Sequence, residues 1–589
     1  VRCPWHGWDF DPLTGKPPGG HEDSGQEMFP LEVRGEEIFV GLLAEPAHER
    51  SVTDVMAETM VNWGVKRVFG MVGHSNLGLA DALRRRTLDG EMAFVGIRHE
   101  GAASFAASAY GKLTGKPAAC LTIAGPGATN LMTGLWDAKV DRAPLLALTG
   151  QVQTQVFGPG VFQDIDLTSA FAAVSRFSQS VLHTSNHAEL MSLACKSAIV
   201  EQDVAHLSFP DDVQTIPSEA PARGPEGRLS AAVVRPSQED LDQALAMIAA
   251  AERPMIILGH GAKDVCADVI ALAEALNLPV ATTFKGKGLI PDDHPNAAGV
   301  LGRSGTPIAS WFMNECDLIL ALGSSFANHT GIASYKPTIQ VDFERMQLGK
   351  FHPVTLPVWG EIGAFARAIL ECLPESLAAA DQRPEIAERW QIWRAEKASR
   401  VAYQSSIGVG SAAIFEALTK VCPADAIIAC DVGNNTYSFG RYFEPKGQRV
   451  LMSGYLGSIG FSLPAAIGAW SATQDFEEFR GRKVVSISGD GGFGQYAMEF
   501  TTAVQYGMDI THILLNNGQL GKITKEQRAG DFQVWKTDLH NPSFSAFAKL
   551  CGGHGTKVTK AEQLGQALSA ALAHKGPALV EIMSDPDLI

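Results

Sequence analysis

The sequence predicts an α/β protein of three doubly wound parallel-sheet domains, preceded by a small β fragment. Two observations carry this. Short apolar runs such as Ala118–Ile123, Leu145–Thr149, Leu318–Leu322 and Val484–Ile487 have the composition of strands covered on both faces. They alternate with stretches of helical apolar spacing such as Val52–Trp63, in three blocks separated by Pro-rich or Ala/Glu-rich segments. A chain of 589 residues has room for about three or four domains.

In chain order, residues 1–45 are rich in Gly, Pro and acidic residues. They end in the alternating stretches Leu31–Arg34 and Ile38–Gly41, which predict a β-hairpin. A polar linker spans 44–50. The first block, 51–215, opens with the helix Val52–Trp63 and carries strands at Arg67–Gly70, Ala93–Ile97, Ala118–Ile123 and Leu145–Thr149. Pro217, Pro221, Pro225 and Pro236 mark a linker over about 217–235. The second block, 235–375, has strands at Met255–Leu258, Leu318–Leu322 and Thr338–Val341, and residues 373–400 read as a pair of linking helices. The third, 405–589, has strands at Ala426–Ala429, Val484–Ile487, Ile510–Leu515 and Ala578–Ile582. Three similar blocks suggest duplicated sheets; no short-period repeat is present.

Apolar residues make up 46% of the chain and charged residues 19%, ordinary for a soluble globular protein. The formal net charge is −16 and no Lys/Arg-rich run occurs, which argues against nucleic acid and anionic membranes as partners. No apolar run is long enough for a transmembrane segment. The first residue is Val, two positions before Cys3, so the chain reads as truncated upstream. The nine cysteines are scattered and read as reduced thiols of a cytoplasmic protein rather than a disulfide framework.

The sharpest chemical signal is Gly489-Asp490-Gly491-Gly492 followed by Asn516-Asn517. Asp490 and Asn517 each lie just past an apolar strand, where open α/β sheets bind ligands, and the segment Phe493–Tyr506 between them has helical spacing. Mg²⁺ takes oxygen ligands and is commonly shared between protein and phosphate. Asp490 offers a carboxylate, Asn517 an amide oxygen and Gln519 a backbone carbonyl. Gly491 and Gly492 let the chain approach a diphosphate. Either half alone reads as a tight turn; their pairing points to a metal–phosphate site.

This pair resembles the signature of thiamine diphosphate-dependent enzymes, a family that includes acetolactate synthase, pyruvate oxidase and benzoylformate decarboxylase. The resemblance covers about 51–589. It implies a pyrimidine-binding domain (51–215), a central domain (235–375) and a diphosphate-binding domain (405–589), with thiamine diphosphate and Mg²⁺ as cofactors. Arg98-His99-Glu100 is similar to the family motif whose glutamate activates the cofactor, so the resemblance makes Glu100 the catalytic acid; by itself it also reads as an acid favoured at a helix N-terminus. Asn130, in Gly125-Pro126-Gly127-Ala128-Thr129-Asn130, and Gln163, after Phe162, are implied near the cofactor. Gly433-Asn434-Asn435 matches the diphosphate loop, where many relatives carry Gln-His. Ser458 and Ile459 lie in the family's wedge segment, with Ile459 implied to bend the cofactor; the alternative for Ile459 is ordinary core. His74 either faces the substrate or is a solvated turn residue.

Gly259-His260-Gly261 and Asp342 are Rossmann-like features that relatives binding no nucleotide share. The resemblance to pyruvate oxidase makes FAD a candidate cofactor, although Lys522 replaces an aromatic residue of those oxidases. Cys3-Pro4-Trp5-His6-Gly7-Trp8 resembles the second half of a Rieske motif, which implies Cys3 and His6 as two ligands of a [2Fe-2S] cluster completed by residues upstream of this chain; a stray Cys-x-x-His or half of a zinc site is the alternative. Together these imply oxidative decarboxylation of a 2-oxo acid such as pyruvate, with electrons passing to FAD or the cluster and on to an acceptor. The alternatives are non-redox carboligation, as in acetolactate synthase, and a non-catalytic scaffold. The family further implies a homodimer or homotetramer with the site shared between subunits. The helix Ala102–Tyr110 and the stretch 454–468 are candidates for that contact, or for internal packing.

Overall fold

The computed structural model describes residues 11, 16, 31–34, 37–40, 48–374, 380–403 and 405–587. The chain divides into two compact units, Val1–Arg50 and Ser51–Ile589. In the first, strands Leu31–Arg34 and Glu37–Val40 pair antiparallel with Leu31 opposite Val40, the hairpin the alternation predicts. Cys3 and His6 lie outside the described residues.

The second unit contains three six-stranded sheets, each wholly parallel. In the N-terminal sheet the spatial order is Ala93–Gly96, Arg67–Gly70, Ala118–Thr122, Leu145–Gln151, Val204–Pro210, Phe177–Ser180. In the C-terminal sheet it is Arg449–Met452, Ile427–Cys430, Val484–Gly489, Ile510–Asn516, Ala578–Met583, His554–Val558. These two orders are the same: the first strand lies between the second and third, and the last strand folds in beside the fourth. The central sheet runs Ala297–Val300, Val280–Thr282, Pro254–Leu258, Leu318–Leu322, Thr338–Asp342, Leu356–Trp359, the order of a dinucleotide fold. Inner strands are buried along their length, as Ala118–Thr122 and Leu318–Leu322 show, with only the terminal Asp342, Gly489 and Met583 half-buried, which explains their apolar runs.

One expectation needs correction. Among the described residues, 373–400 holds one helix rather than a pair. Helix Ile362–Cys372 ends before Pro374, and one helix, Arg383–Ala402, begins with Pro384 in its first turn. Proline disfavours helix in the residue before it but suits a helix start, which accounts for the end of the one helix before Pro374 and the start of the other at Pro384. The segment Phe493–Tyr506 is helical as its spacing predicts, in two helices, Asp490–Tyr496 and Glu499–Gln505.

The helix Glu100–Thr114 is buried within the chain, against helix Ser462–Asp475. A Cβ on Gly468 would stand 2.0 Å from the Ala106 carbonyl oxygen, so glycine is what lets the backbones meet. Phe105 packs edge-on to Phe461 and Tyr496, Tyr110 donates to Asp475 at 2.8 Å, and Arg67 pairs with the same carboxylate. Of the two assignments open for Ala102–Tyr110, internal packing is the one observed.

The three domains also meet at a buried ionic cluster. Lys112 Nζ lies 2.6 Å from Asp137 Oδ2 and 2.8 Å from Asp141 Oδ2 and donates to the Met452 carbonyl at 3.0 Å. Asp141 also accepts from Lys285 Nζ at 2.7 Å and from the Gly454 N–H at 3.0 Å. Burial opposes ionisation of Asp141, but Lys112 and Lys285 hold its carboxyl well below the usual range. The cluster thus fastens the start of the loop leading to Ile459. Among the described residues no helix is long and apolar enough to cross a membrane.

Candidate active site

Open parallel sheets bind ligands where chain connections diverge to opposite sides, outside the strand carboxyl ends. In the N-terminal sheet this point lies between Arg67–Gly70 and Ala118–Thr122. Glu100 opens the helix that follows the neighbouring strand and is 8% exposed. The N–H groups of Arg98 and His99 both donate to Glu499 Oε1 at 2.9 Å, and His99 Nδ1 caps the helix by accepting from the Gly101 N–H. Glu100 is therefore held from both sides of the turn. Its Oε2 accepts from Asn130 Nδ2 at 3.0 Å. A Cβ on Gly127 would stand 3.2 Å from Oε1, so Gly127 keeps the space beside that oxygen open.

Gln163 lies over Gly125, whose φ is +62°. Gln163 itself has φ +65°, uncommon for a residue with a side chain, and its buried Oε1 has no hydrogen-bond partner. His74 is exposed, with its ring 6.3 Å from that of Phe162, which is 80% exposed. The sequence-selected residues Glu100, Asn130 and Gln163 thus converge around the Gly125–Asn130 turn.

The C-terminal sheet has its equivalent point between Ile427–Cys430 and Val484–Gly489. Asp490 is 2% exposed, and its Oδ2 accepts from the Gly518 N–H at 3.0 Å and Asn541 Nδ2 at 2.6 Å. Burial pushes its carboxyl up despite these bonds. Asn517 Oδ1 accepts from the Gln519 N–H at 3.2 Å. The Gln519 side chain accepts from Thr524, so its backbone carbonyl is the group left to serve a metal. Asn434 and Asn517 approach each other across Gly521: their Nδ2 atoms would lie 2.6 and 2.9 Å from a Cβ there.

Both side-chain polar atoms of Asn434 are buried without a partner. Asn435, by contrast, donates to the Asp431 carbonyl at 2.8 Å and braces the loop that Gly433 opens with φ +134°. Gly491 leaves room against Leu520, and Gly492 against Asp431. Ser458 shapes the wedge loop through bonds to Ser453 and to the Ile459 carbonyl. Ile459 is half-buried and takes no part in the hydrophobic core.

Two residues escaped the sequence reading. Asp431 ends the strand Ile427–Cys430 as Asp490 ends its neighbour, and that parallel was the available signal. Its carboxylate accepts from the N–H groups of Val432 and Gly460 and from the Ser462 hydroxyl, and burial pushes it up to about 7. Asn541 lies in an aperiodic loop, and nothing in its local sequence marks it. Among the described residues no three His, Cys, Asp or Glu side chains cluster to hold a metal; the Asp490–Asn517 set is instead a mixed oxygen set of the kind Mg²⁺ takes. At the third divergence point, in the central sheet, the N–H groups of Gly259 and Gly261 are bonded to the carbonyls of Leu322 and Gly323, and Asp342 accepts from the Glu344 N–H.

Comparison with known proteins agrees with this layout. Residues 50–170 match the N-terminal TPP binding domain of thiamine pyrophosphate enzymes, residues 241–369 their central domain and residues 431–582 their C-terminal TPP binding domain. The chain belongs to the thiamine pyrophosphate enzyme family. Thiamine pyrophosphate is thiamine diphosphate by another name, and the protein is an enzyme that depends on it. It is 33% identical over 542 residues to a Bacillus subtilis protein described as thiamine pyrophosphate-containing, covering 91% of this chain and 92% of that one. It is 30% identical over 534 residues to the acetolactate synthase isozyme 1 large subunit of Escherichia coli, covering 89% and 92%. The isozyme 2 large subunit of the same organism is 30% identical over 539 residues, covering 89% and 93%.

Proposed function

We propose that the protein is a non-redox carboligase of the acetolactate synthase type. On this reading it takes two molecules of a pyruvate-like 2-oxo acid, releases carbon dioxide from one, and joins the remaining acyl unit to the carbonyl carbon of the other. One C–C bond breaks, one forms, and no electrons leave. The observation that carries the reading is similarity to acetolactate synthases over about nine-tenths of both chains. The oxidative outcome expected from the sequence yields to it, since relatives matched over nearly the whole chain are acetolactate synthases.

The residues fit the cofactor. The two partnerless atoms of Asn434 and the partnerless Oε1 of Gln163 are polar groups that burial disfavours unless a ligand satisfies them. Asp490, Asn517 and the Gln519 carbonyl would hold Mg²⁺, with Asn434 and the Gly491–Gly492 turn beside the diphosphate. Bound thiamine pyrophosphate supplies an electron sink for the bond that breaks in decarboxylation. The chain's own part is to place and protonate. Glu100, fixed through Oε2 by Asn130, would hold a proton at Oε1 against the cofactor's pyrimidine ring and exchange it during activation. Asn130 confines that traffic to one oxygen. Ile459 would support the cofactor's bend from the loop that Asp141 fastens. A second copy of the chain would bring the two half-sites together as a homodimer. Exposed Phe162 on one side, and Phe532 and Trp535 on the other, at 72% and 71% exposure, are apolar surface for it to cover.

The resemblance of Cys3-Pro4-Trp5-His6 to half a Rieske motif favours one second reading, in which decarboxylation releases electrons to a cluster. Product analysis with pyruvate, thiamine pyrophosphate and Mg²⁺ tests both. The carboligase reading expects an acyloin acid and carbon dioxide in equal amounts with no acceptor consumed. Acetate formed in step with a reduced acceptor would overturn it in favour of the second.

A further inference from the structure

The carboxylate on the metal side is held by a chain of amides that begins at a buried acid. Glu581 stands in the strand Ala578–Met583 and is 1% exposed. A carboxylate in such a place is costly unless its lone pairs are used. It accepts from the Ser545 N–H at 3.0 Å, the Ser545 hydroxyl at 2.9 Å and Asn516 Nδ2 at 2.9 Å. Burial opposes its charge, yet these bonds hold the carboxyl below its ordinary range.

The direction of every later bond follows from this one. A carboxylate only accepts, so Asn516 must turn its NH₂ toward Glu581 and its Oδ1 the other way. That oxygen accepts from Asn541 Nδ2 at 3.1 Å and from the Gly518 N–H at 3.3 Å. Asn541 is thereby fixed as a donor, and the same NH₂ also reaches Asp490 Oδ2 at 2.6 Å. The Gly518 N–H donates to that oxygen too, at 3.0 Å. Both bonds fall on Oδ2, and together they set the rotation of the Asp490 carboxylate.

We propose that Asn541, oriented by Glu581 through Asn516, is a positioning residue that locks Asp490 so that a single oxygen, Oδ1, is offered to Mg²⁺. The proposal rests on the thiamine pyrophosphate reading of the site. Mg²⁺ demands near-octahedral geometry, whereas Ca²⁺ accepts bidentate carboxylates and irregular shells. A locked carboxylate therefore favours Mg²⁺, and a free one can turn to chelate the larger ion.

The test is retention of thiamine pyrophosphate by the full chain in equilibrium dialysis, titrated separately with MgCl₂ and CaCl₂. Asn541→Ala should raise the Mg²⁺ concentration for half-maximal retention by about ten- to a hundredfold, the usual effect of losing a group that orients a metal ligand. The Ca²⁺ requirement should rise less, so the preference for Mg²⁺ over Ca²⁺ falls. Glu581→Gln is nearly isosteric and lets the Asn516 amide turn over; it should shift the preference the same way and carries the test if Asn541→Ala does not fold. An unchanged Mg²⁺ requirement, or equal losses for both ions as in a merely structural defect, overturns the proposal. Metal-independent retention by the wild type would overturn the metal assignment beneath it, a distinct result.

Discussion

Removing the Asp141 carboxylate withdraws one acceptor from three donors on three domains: Lys112 Nζ, Lys285 Nζ and the Gly454 N–H. Breaking a buried ion pair from one side costs about 3–5 kcal/mol, because the partner charge stays buried. Here Lys112 keeps Asp137, and Lys285, with its side chain 20% exposed, regains water. The estimate therefore falls at the low end, about 3 kcal/mol. At about 2–4 °C per kcal/mol for a domain of this size, Asp141→Ala should lower the thermal midpoint of the cofactor-free protein by about 6–12 °C in scanning calorimetry at pH 7. Adding Lys112→Met should deepen the loss, since Asp137 then stays buried without its cation. The folded carboxyl lies below its unfolded value, so its contribution is present above about pH 4 and is lost as pH falls toward the folded pKa. The gap between wild type and variant should narrow accordingly in acid. A midpoint within about 2 °C of wild type, or a double variant no less stable than Asp141→Ala, would show that the cluster does not join the domains as described.

Asp490→Ala should abolish Mg²⁺-dependent thiamine pyrophosphate binding in calorimetry, while the apo fold persists. Glu100→Gln should leave most binding intact and slow exchange of the cofactor's C2 proton, followed by NMR, by about a hundred- to ten-thousandfold. Asp431→Asn bears on pH: a carboxyl raised to about 7 in the fold keeps a proton that the unfolded chain loses near pH 4, so its ionisation costs stability as pH climbs between the two. The apo midpoint of the variant should gain on wild type from pH 5 to pH 8, and parallel profiles would remove Asp431 as the cause. Mixing Glu100→Gln with Asp490→Ala after dissociation and reassembly should recover activity if one cofactor is served by two chains; proven subunit exchange without recovery would refute the shared site.

What could be read from the sequence followed burial. Leu318–Leu322 was legible because both its faces are covered. Phe177–Ser180, Arg449–Met452 and His554–Val558 were not: each is a sheet edge, where a partly exposed strand needs no apolar run. Val204–Pro210 is an inner strand but carries His206, whose ring is bonded to Thr149 and Ser178, so polar residues break the pattern without breaking the core. Asp490 and Asn517 were legible because each follows a strand of the same sheet. The Asn541 contact joins residues with no periodic relation, and only the folded chain brings them together.

If thiamine pyrophosphate meets the partnerless atoms of Asn434 and Gln163, as the proposed site requires, the protein's lifetime would follow its vitamin supply. Each unmet buried polar group costs about 1–3 kcal/mol, a cost that the cofactor-free fold carries and that a fold loaded in this way would not. By mass action, a ligand at a hundred times its Kd adds about 2.7 kcal/mol to the folded state. When thiamine runs short the apo form becomes the fraction most readily opened and proteolysed, so the amount of enzyme would fall with its cofactor without any dedicated regulator.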